Sequence, residues 1–172
     1  MKSLLSLIPL FALSAQAHSP VSGEDSITID DPTHSWAVDG TIGGDEVFVI
    51  ELPMPRDFAM PFEILVPNRK EYQDFRPAYA VLSAGLPQPT DAERAALPFE
   101  VPEGMGAYVD LNQVPERYVL FESFGRNVLI SSGTVALPVR AGEVEVRVWS
   151  PDGTEGPFTL AFGVEEDFGG EE

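Results

Sequence analysis

The chain has 172 residues, with 28 Asp and Glu against 10 Lys and Arg, a formal net charge of −18 and no cysteine. The lack of cysteine excludes disulfides, thiolate metal sites, a cysteine nucleophile and a lipid-modified N-terminal cysteine. The acidity argues against nucleic acid and against anionic membrane surfaces, because binding either one needs a basic patch.

The N-terminus reads as an export signal. Lys2 gives a short positive region, Leu4 to Leu13 is an apolar run, and Ala15-Gln16-Ala17 supplies the small-x-small pattern of a signal-peptidase site. The expected division is a signal peptide over 1–17 and one domain over 18–172 with an acidic tail, in a periplasmic or secreted protein. The apolar run is shorter than the roughly 20 residues that span a bilayer. No second run of spanning length follows, so no membrane span is expected in the mature chain. Cleavage after Ala17 makes His18 the new N-terminus and leaves Lys70 as the only lysine.

From there the pattern is strand, turn, strand. Ser26 to Asp30, Ser35 to Ile42, Glu46 to Leu52, Phe62 to Val66 and Ala78 to Ser83 are short and rich in β-branched and aromatic residues. Gly43-Gly44 reads as a hairpin turn. Pro53, Pro55, Pro61 and Pro67 should mark edges or loops, since proline cannot donate to a ladder. One short helix is expected in a connection. It begins at Thr90 with Glu93 three residues on, a capping box, and Pro98 stops it.

The later strands are Arg117 to Phe121, Asn127 to Ser131, Thr134 to Val139, Glu143 to Trp149 and Phe158 to Gly163. Glu143 to Trp149 alternates cleanly, with Val144, Val146 and Val148 on one face and Glu143, Glu145 and Arg147 on the other. Ser150-Pro151-Asp152-Gly153 is turn chemistry and predicts an antiparallel hairpin onto the last strand. Many short strands of this kind give an all-β class: an antiparallel β-sandwich, jelly-roll-like. A chain of about 150 residues buries roughly two-thirds of its unfolded surface, enough to hold without staples.

Few residues carry chemistry. His18 and His34 are the only histidines. The freed amine and imidazole of His18, with the imidazole of His34, make a three-nitrogen set suited to copper(II), a histidine brace. The alternative is a plain N-terminal arm with His34 in a surface turn. Asp30, Asp31, Asp39, Asp45 and Glu46 could offer oxygens to calcium, although their spacing fits no recognised loop; the alternative is a solvated acidic rim, which also describes Glu165, Glu166 and Asp167. No serine sits in a nucleophile elbow and no glycine-rich phosphate loop follows a strand, so no catalytic residue is assigned. Trp36 and Trp149 lie in strong strand patterns and are expected in the core. Tyr72 and Phe75, in the polar stretch 68–76, are the expected contact aromatics.

The segment Leu137 to Gly163 resembles the closing hairpin of pre-peptidase C-terminal β-sandwich domains: a glycine, an alternating strand, a glycine-containing turn and an apolar final strand. His18-Ser19-Pro20, Asp30-Asp31-Pro32, Phe75-Arg76-Pro77-Ala78, Phe99 to Gly104 and Gly163 to Phe168 resemble a group of short exported bacterial proteins of unknown function. These resemblances imply a sandwich fold and export, and assign no activity. The resulting expectation is an exported, non-enzymatic binding or interaction module for a protein or carbohydrate partner. The alternatives are a copper-binding protein using His18 and His34, and a calcium-stabilised accessory domain.

Overall fold

Alternating apolar residues on the strands of two sheets close around one another. The computed structural model describes residues 19–23, 25–122 and 126–164. In chain order the strands are β1 (Ser19–Ser22), β2 (Ser26–Thr28), β3 (Trp36–Ile42), β4 (Val47–Met54), β5 (Phe58–Pro67), β6 (Ala78–Ser83), β7 (Gly106–Asp110), β8 (Tyr118–Glu122), β9 (Asn127–Val139), β10 (Gly142–Trp149) and β11 (Gly156–Phe162). The first sheet runs β1-β3-β11-β5-β9-β8 and the second β2-β4-β10-β6-β7.

The all-β sandwich expected from the sequence is what the chain forms. Its two sheets are mixed, not wholly antiparallel, because β1 runs parallel to β3 and β2 parallel to β4. The reason is the path of the chain. β1, β2, β3 and β4 alternate between the two sheets. A strand that returns to its own sheet after one visit to the other comes back in its original direction.

The same path corrects two turn readings. Gly43-Gly44 joins β3 to β4, and Ser150 to Gly153 joins β10 to β11, and each pair is split between the sheets. Neither connection is a hairpin. β10 pairs with β4 and β6, whereas β11 pairs with β3 and β5. Pro53 and Pro61 lie inside β4 and β5. Each falls beyond the stretch where a second neighbour pairs: β2 reaches β4 only as far as Glu51, and β11 reaches β5 only as far as Phe62. The missing N–H therefore breaks no ladder on that side.

The inner faces form the core. Val38, Phe48, Ile50, Leu52, Met60, Phe62, Val146, Val148, Phe158 and Leu160 are all buried. Phe48 of one sheet meets Phe158 of the other edge to face, with centroids 5.4 Å apart and planes at 79°, an arrangement worth about 1 kcal/mol beyond the area it buries. The outer face of the second sheet is covered as well. Ala78, Ala80, Leu82 and Trp149 pack beneath Leu97, Phe99, Val101 and Met105. That covering segment carries the one α-helix among the described residues, α1 (Asp91–Ala96), with the expected capping box between Thr90 and Glu93.

Candidate functional site

Three surfaces follow from this arrangement. The first is the edge strand β8. Its register on β9 sets Val119 opposite Ile130 and Phe121 opposite Val128, and Ile130 in turn lies opposite Val66 of β5. Val66 belongs to the core, so this row is on the inner face. Along it exposure rises from 1% at Val66 through 8% at Ile130 to 60% at Val119. The core therefore runs out at β9. Phe121 (64% exposed), Val128 and Tyr118 are open too, and with Val119 they are four of the six large exposed hydrophobic side chains among the described residues. Among the described residues no strand neighbours the outer edge of β8, which sets an open strand edge beside an apolar patch.

Two arginines lace the chain just before β8 to the segment just before β6. Arg117, just before β8, donates from Nη1 to Phe75 O at 3.0 Å and from Nη2 to Gln73 O. Arg76 Nη1 donates to Asn112 O at 3.1 Å and to Val114 O at 3.2 Å. Burial and the nearby Arg76 push the Arg117 guanidinium below its usual pKa.

The second surface is the outer face of the first sheet. Glu63 of β5 accepts from Tyr118 Oη at 2.9 Å, from Ser131 Oγ and from Thr134 Oγ1 at 3.3 Å. Toward one end of that face is an open groove of about 930 Å³. Asp39 and Glu155 line it on the β3–β11 side, and Arg69 and Arg126 on the β5–β9 side.

The third is the surface around His34. Its Nδ1 lies 3.3 Å from Asp31 Oδ2, and its ring centroid lies 6.5 Å from that of Trp36. Trp36 Nε1 donates to Asp31 O at 2.7 Å. Ser19 N donates to Ser35 O at 2.8 Å, so the strand that follows His18 is fixed beside the residue that follows His34. His18 itself, with Glu165, Glu166 and Asp167, lies outside the described residues. The proposed calcium carboxylates are dispersed. Asp39 accepts from Thr159 on the outer face of β3, Asp31 sits with His34, and Glu46 accepts from Gly43 N in the β3–β4 turn. Among the described residues no three His, Asp or Glu side chains are gathered as a metal-holding group.

The contact aromatics expected from the sequence are misplaced. Phe75 is buried in the core, and Tyr72 packs half-buried against it. The polar residues around them suggested a surface loop, but the loop folds inward on the Arg76 and Arg117 bonds. Trp149 is buried as expected and Trp36 is half-buried against the core. The most open aromatics among the described residues are Phe121 and Tyr118 of β8. The signal for them was present: Tyr118 to Phe121 is apolar throughout, and an apolar strand without alternation is either central or exposed on one face.

No family model and no curated protein matches the chain. Among solved structures it is similar to a periplasmic inhibitor of g-type lysozyme from Aeromonas hydrophila, at 12% identity and a TM-score of 0.38, over 84% of this chain and 100% of that one. It is also similar to the pre-peptidase C-terminal domain of a Bacillus anthracis collagenase, at 11% identity and a TM-score of 0.36, over 83% of this chain and 96% of that one. Likeness of this size carries no argument about ligand or partner.

Proposed function

We propose that the chain is an exported, non-catalytic interaction module that binds a polypeptide along the free edge of β8. One observation carries this reading: the climb in exposure from Val66 to Val119 along a single inner-face row. Soluble proteins seldom leave a flat apolar edge strand open, because it templates pairing with another chain. Strand addition uses such an edge, with main-chain bonds giving affinity and alternate side chains giving specificity. The scarcity of catalytic residue types, with two histidines and no cysteine, supports a binding role.

A fluorescein-labelled octapeptide of alternating Thr and Val, capped by arginines, serves as the test probe. Fluorescence anisotropy should show it binding to the protein. Binding should fall at least about tenfold in a Val119→Ser, Phe121→Ser variant, and for a peptide N-methylated at alternate amides. Equal binding in all three cases, or none to the wild type at concentrations where the chain is a monomer, would sink the reading.

A second reading is favoured by the Ser19 N to Ser35 O bond. In it, cleavage after Ala17 frees the His18 amine, and copper(II) is held by that amine and the imidazoles of His18 and His34. The Asp31 carboxylate beside His34 Nδ1 would orient the ring, as carboxylates hydrogen-bonded to a ligating histidine do. Copper(II) titration of a chain beginning at His18 should give tight binding that one added N-terminal residue abolishes. Equal affinity in the two forms would rule out the brace.

A further inference from the structure

We propose that the polypeptide taken up by β8 is a second copy of this chain, paired antiparallel about Leu120. This rests on the reading of β8 as the contact edge and names its partner.

The geometry limits the choice. Two sheets can join edge to edge and antiparallel by a two-fold axis normal to the sheet. Such an axis keeps inner face with inner face, so only residues of the same parity can stand opposite each other. β8 spans Tyr118–Glu122, and its middle residue is Leu120. Placing the axis at Leu120 pairs the whole strand with itself. Val119 then faces Phe121 of the second copy, and Phe121 faces its Val119. These two are the most exposed of the large apolar residues described, at 60% and 64%. One operation covers both of them twice, and each six-stranded sheet continues into the other. Shifting the axis by one residue either way leaves part of the strand unpaired and separates the two side chains.

Charge selects the same occupant. The whole chain is strongly acidic, which favours a cationic partner over a copy of itself. The edge is different. Residues 115–130 carry Glu116 and Glu122 against Arg117 and Arg126, a locally neutral stretch in a chain of net charge −18. β8 itself carries one acid, Glu122, and its flanks balance it, so a cationic partner finds little excess of acid around this edge and a copy meets little local repulsion. The repulsion that remains is between whole molecules at longer range, and salt screens it.

Sedimentation equilibrium of the full mature chain tests this, from about 5 µM to about 500 µM and at low and physiological salt. The expected result is a monomer–dimer equilibrium that strengthens as salt is added. Phe121→Lys should weaken it at least about tenfold, while Val164→Lys, at an exposed valine outside β8, should leave it unchanged. At protein concentrations where the wild type is a monomer, both variants should keep its melting temperature. A monomer throughout would overturn self-pairing, as would a dimer indifferent to Phe121→Lys. A monomer that still takes up the Thr-Val octapeptide would overturn self-pairing alone, leaving β8 as the edge for another polypeptide.

Discussion

The phenol of Tyr118 donates to Glu63 Oε1 at 2.9 Å across the intervening strand β9. The same carboxylate collects the hydroxyls of Ser131 and Thr134. Glu63 thus ties the exposed strand β8 to the interior strand β5 on the outer face, where the inner face gives β8 no cover.

These bonds should differ in worth according to how buried each donor is. Ser131 is fully buried, and its Oγ also accepts from Gly133 N at 3.0 Å. Tyr118 is half-exposed. Ser131→Ala should cost about 1–2 kcal/mol, since it leaves polar groups unpaired in a dry site, and Tyr118→Phe about 0.5 kcal/mol. Urea unfolding of both variants checks the order, and a larger loss from Tyr118→Phe would refute it.

Tyr79 predicts the alkaline behaviour. Its hydroxyl is buried without a hydrogen-bond partner in the described structure. Burial, with smaller contributions from Asp110, Tyr108 and Glu63, raises its pKa well above the ordinary phenol value. Burial also raises Tyr108 and Tyr118. The fold therefore holds these phenols neutral, while the unfolded chain ionises them near pH 10. The stability tied to neutral phenols is whole below about pH 10 and is lost as pH climbs past it. Tyr79→Phe should cost less than about 1 kcal/mol at pH 7, because it removes an unsatisfied group. It should also flatten the decline measured by urea midpoints above pH 10. An unchanged decline would show that Tyr79 does not carry it.

Much of the fold can be read in the sequence, and what is missing has a physical pattern. The alternation of Val144, Val146 and Val148 gives β10 almost to the residue, and Thr90 with Glu93 gives the helix start. β7 escaped because Gly106–Asp110 is short and its flanks carry no periodic signal. Asn127–Val139 reads as two strands broken at Ser132-Gly133, yet it forms one, with Gly133 at φ 113° where the pairing with β5 slips. The turns at Gly43-Gly44 and Ser150–Gly153 were visible, but the sheet each following strand joins was not. A turn fixes the change of direction locally, whereas the choice of sheet is settled by distant partners. The β8 patch was missed for the same reason: whether Val119 and Phe121 are covered depends on where the second sheet stops.

Asn112 joins the segment before β8 to both sheets. It is buried, at φ 53°, a left-handed position that asparagine tolerates better than most residues. Its Nδ2 donates to Pro77 O at 3.0 Å, its Oδ1 accepts from Ser132 Oγ, and its N donates to Asp110 Oδ1 at 2.7 Å. Asn112→Ala loses both side-chain bonds and adds backbone strain, so it should cost about 2–4 kcal/mol. Asn112→Gly loses the same bonds without the strain and should be the milder change by about 1 kcal/mol. Denaturant midpoints of the pair separate the two contributions. Equal losses would mean that the left-handed backbone contributes nothing.

Gly163 sets the end of β11 against the loop that carries His34. Its φ is +83°, and a Cβ there would stand 1.6 Å from His34 O. The next residue, Val164, donates its N–H to Thr33 O at 3.1 Å. Gly153, in the β10–β11 connection, is also left-handed at φ +74°, but its nearest contact would be 3.8 Å away. Gly153→Ala therefore probes strain alone and should cost about 1 kcal/mol. Gly163→Ala adds a collision with backbone that cannot yield without moving residues 33–35, and should cost about 3 kcal/mol or more. That should appear as a drop in melting temperature of at least about 6 °C for a domain of this size. Ser35 O receives the amide of Ser19, so Gly163→Ala should also speed hydrogen exchange at Ser19 and Gly153→Ala should not. Equal melting temperatures for the two variants would mean that the His34 loop gives way freely and does not anchor β1.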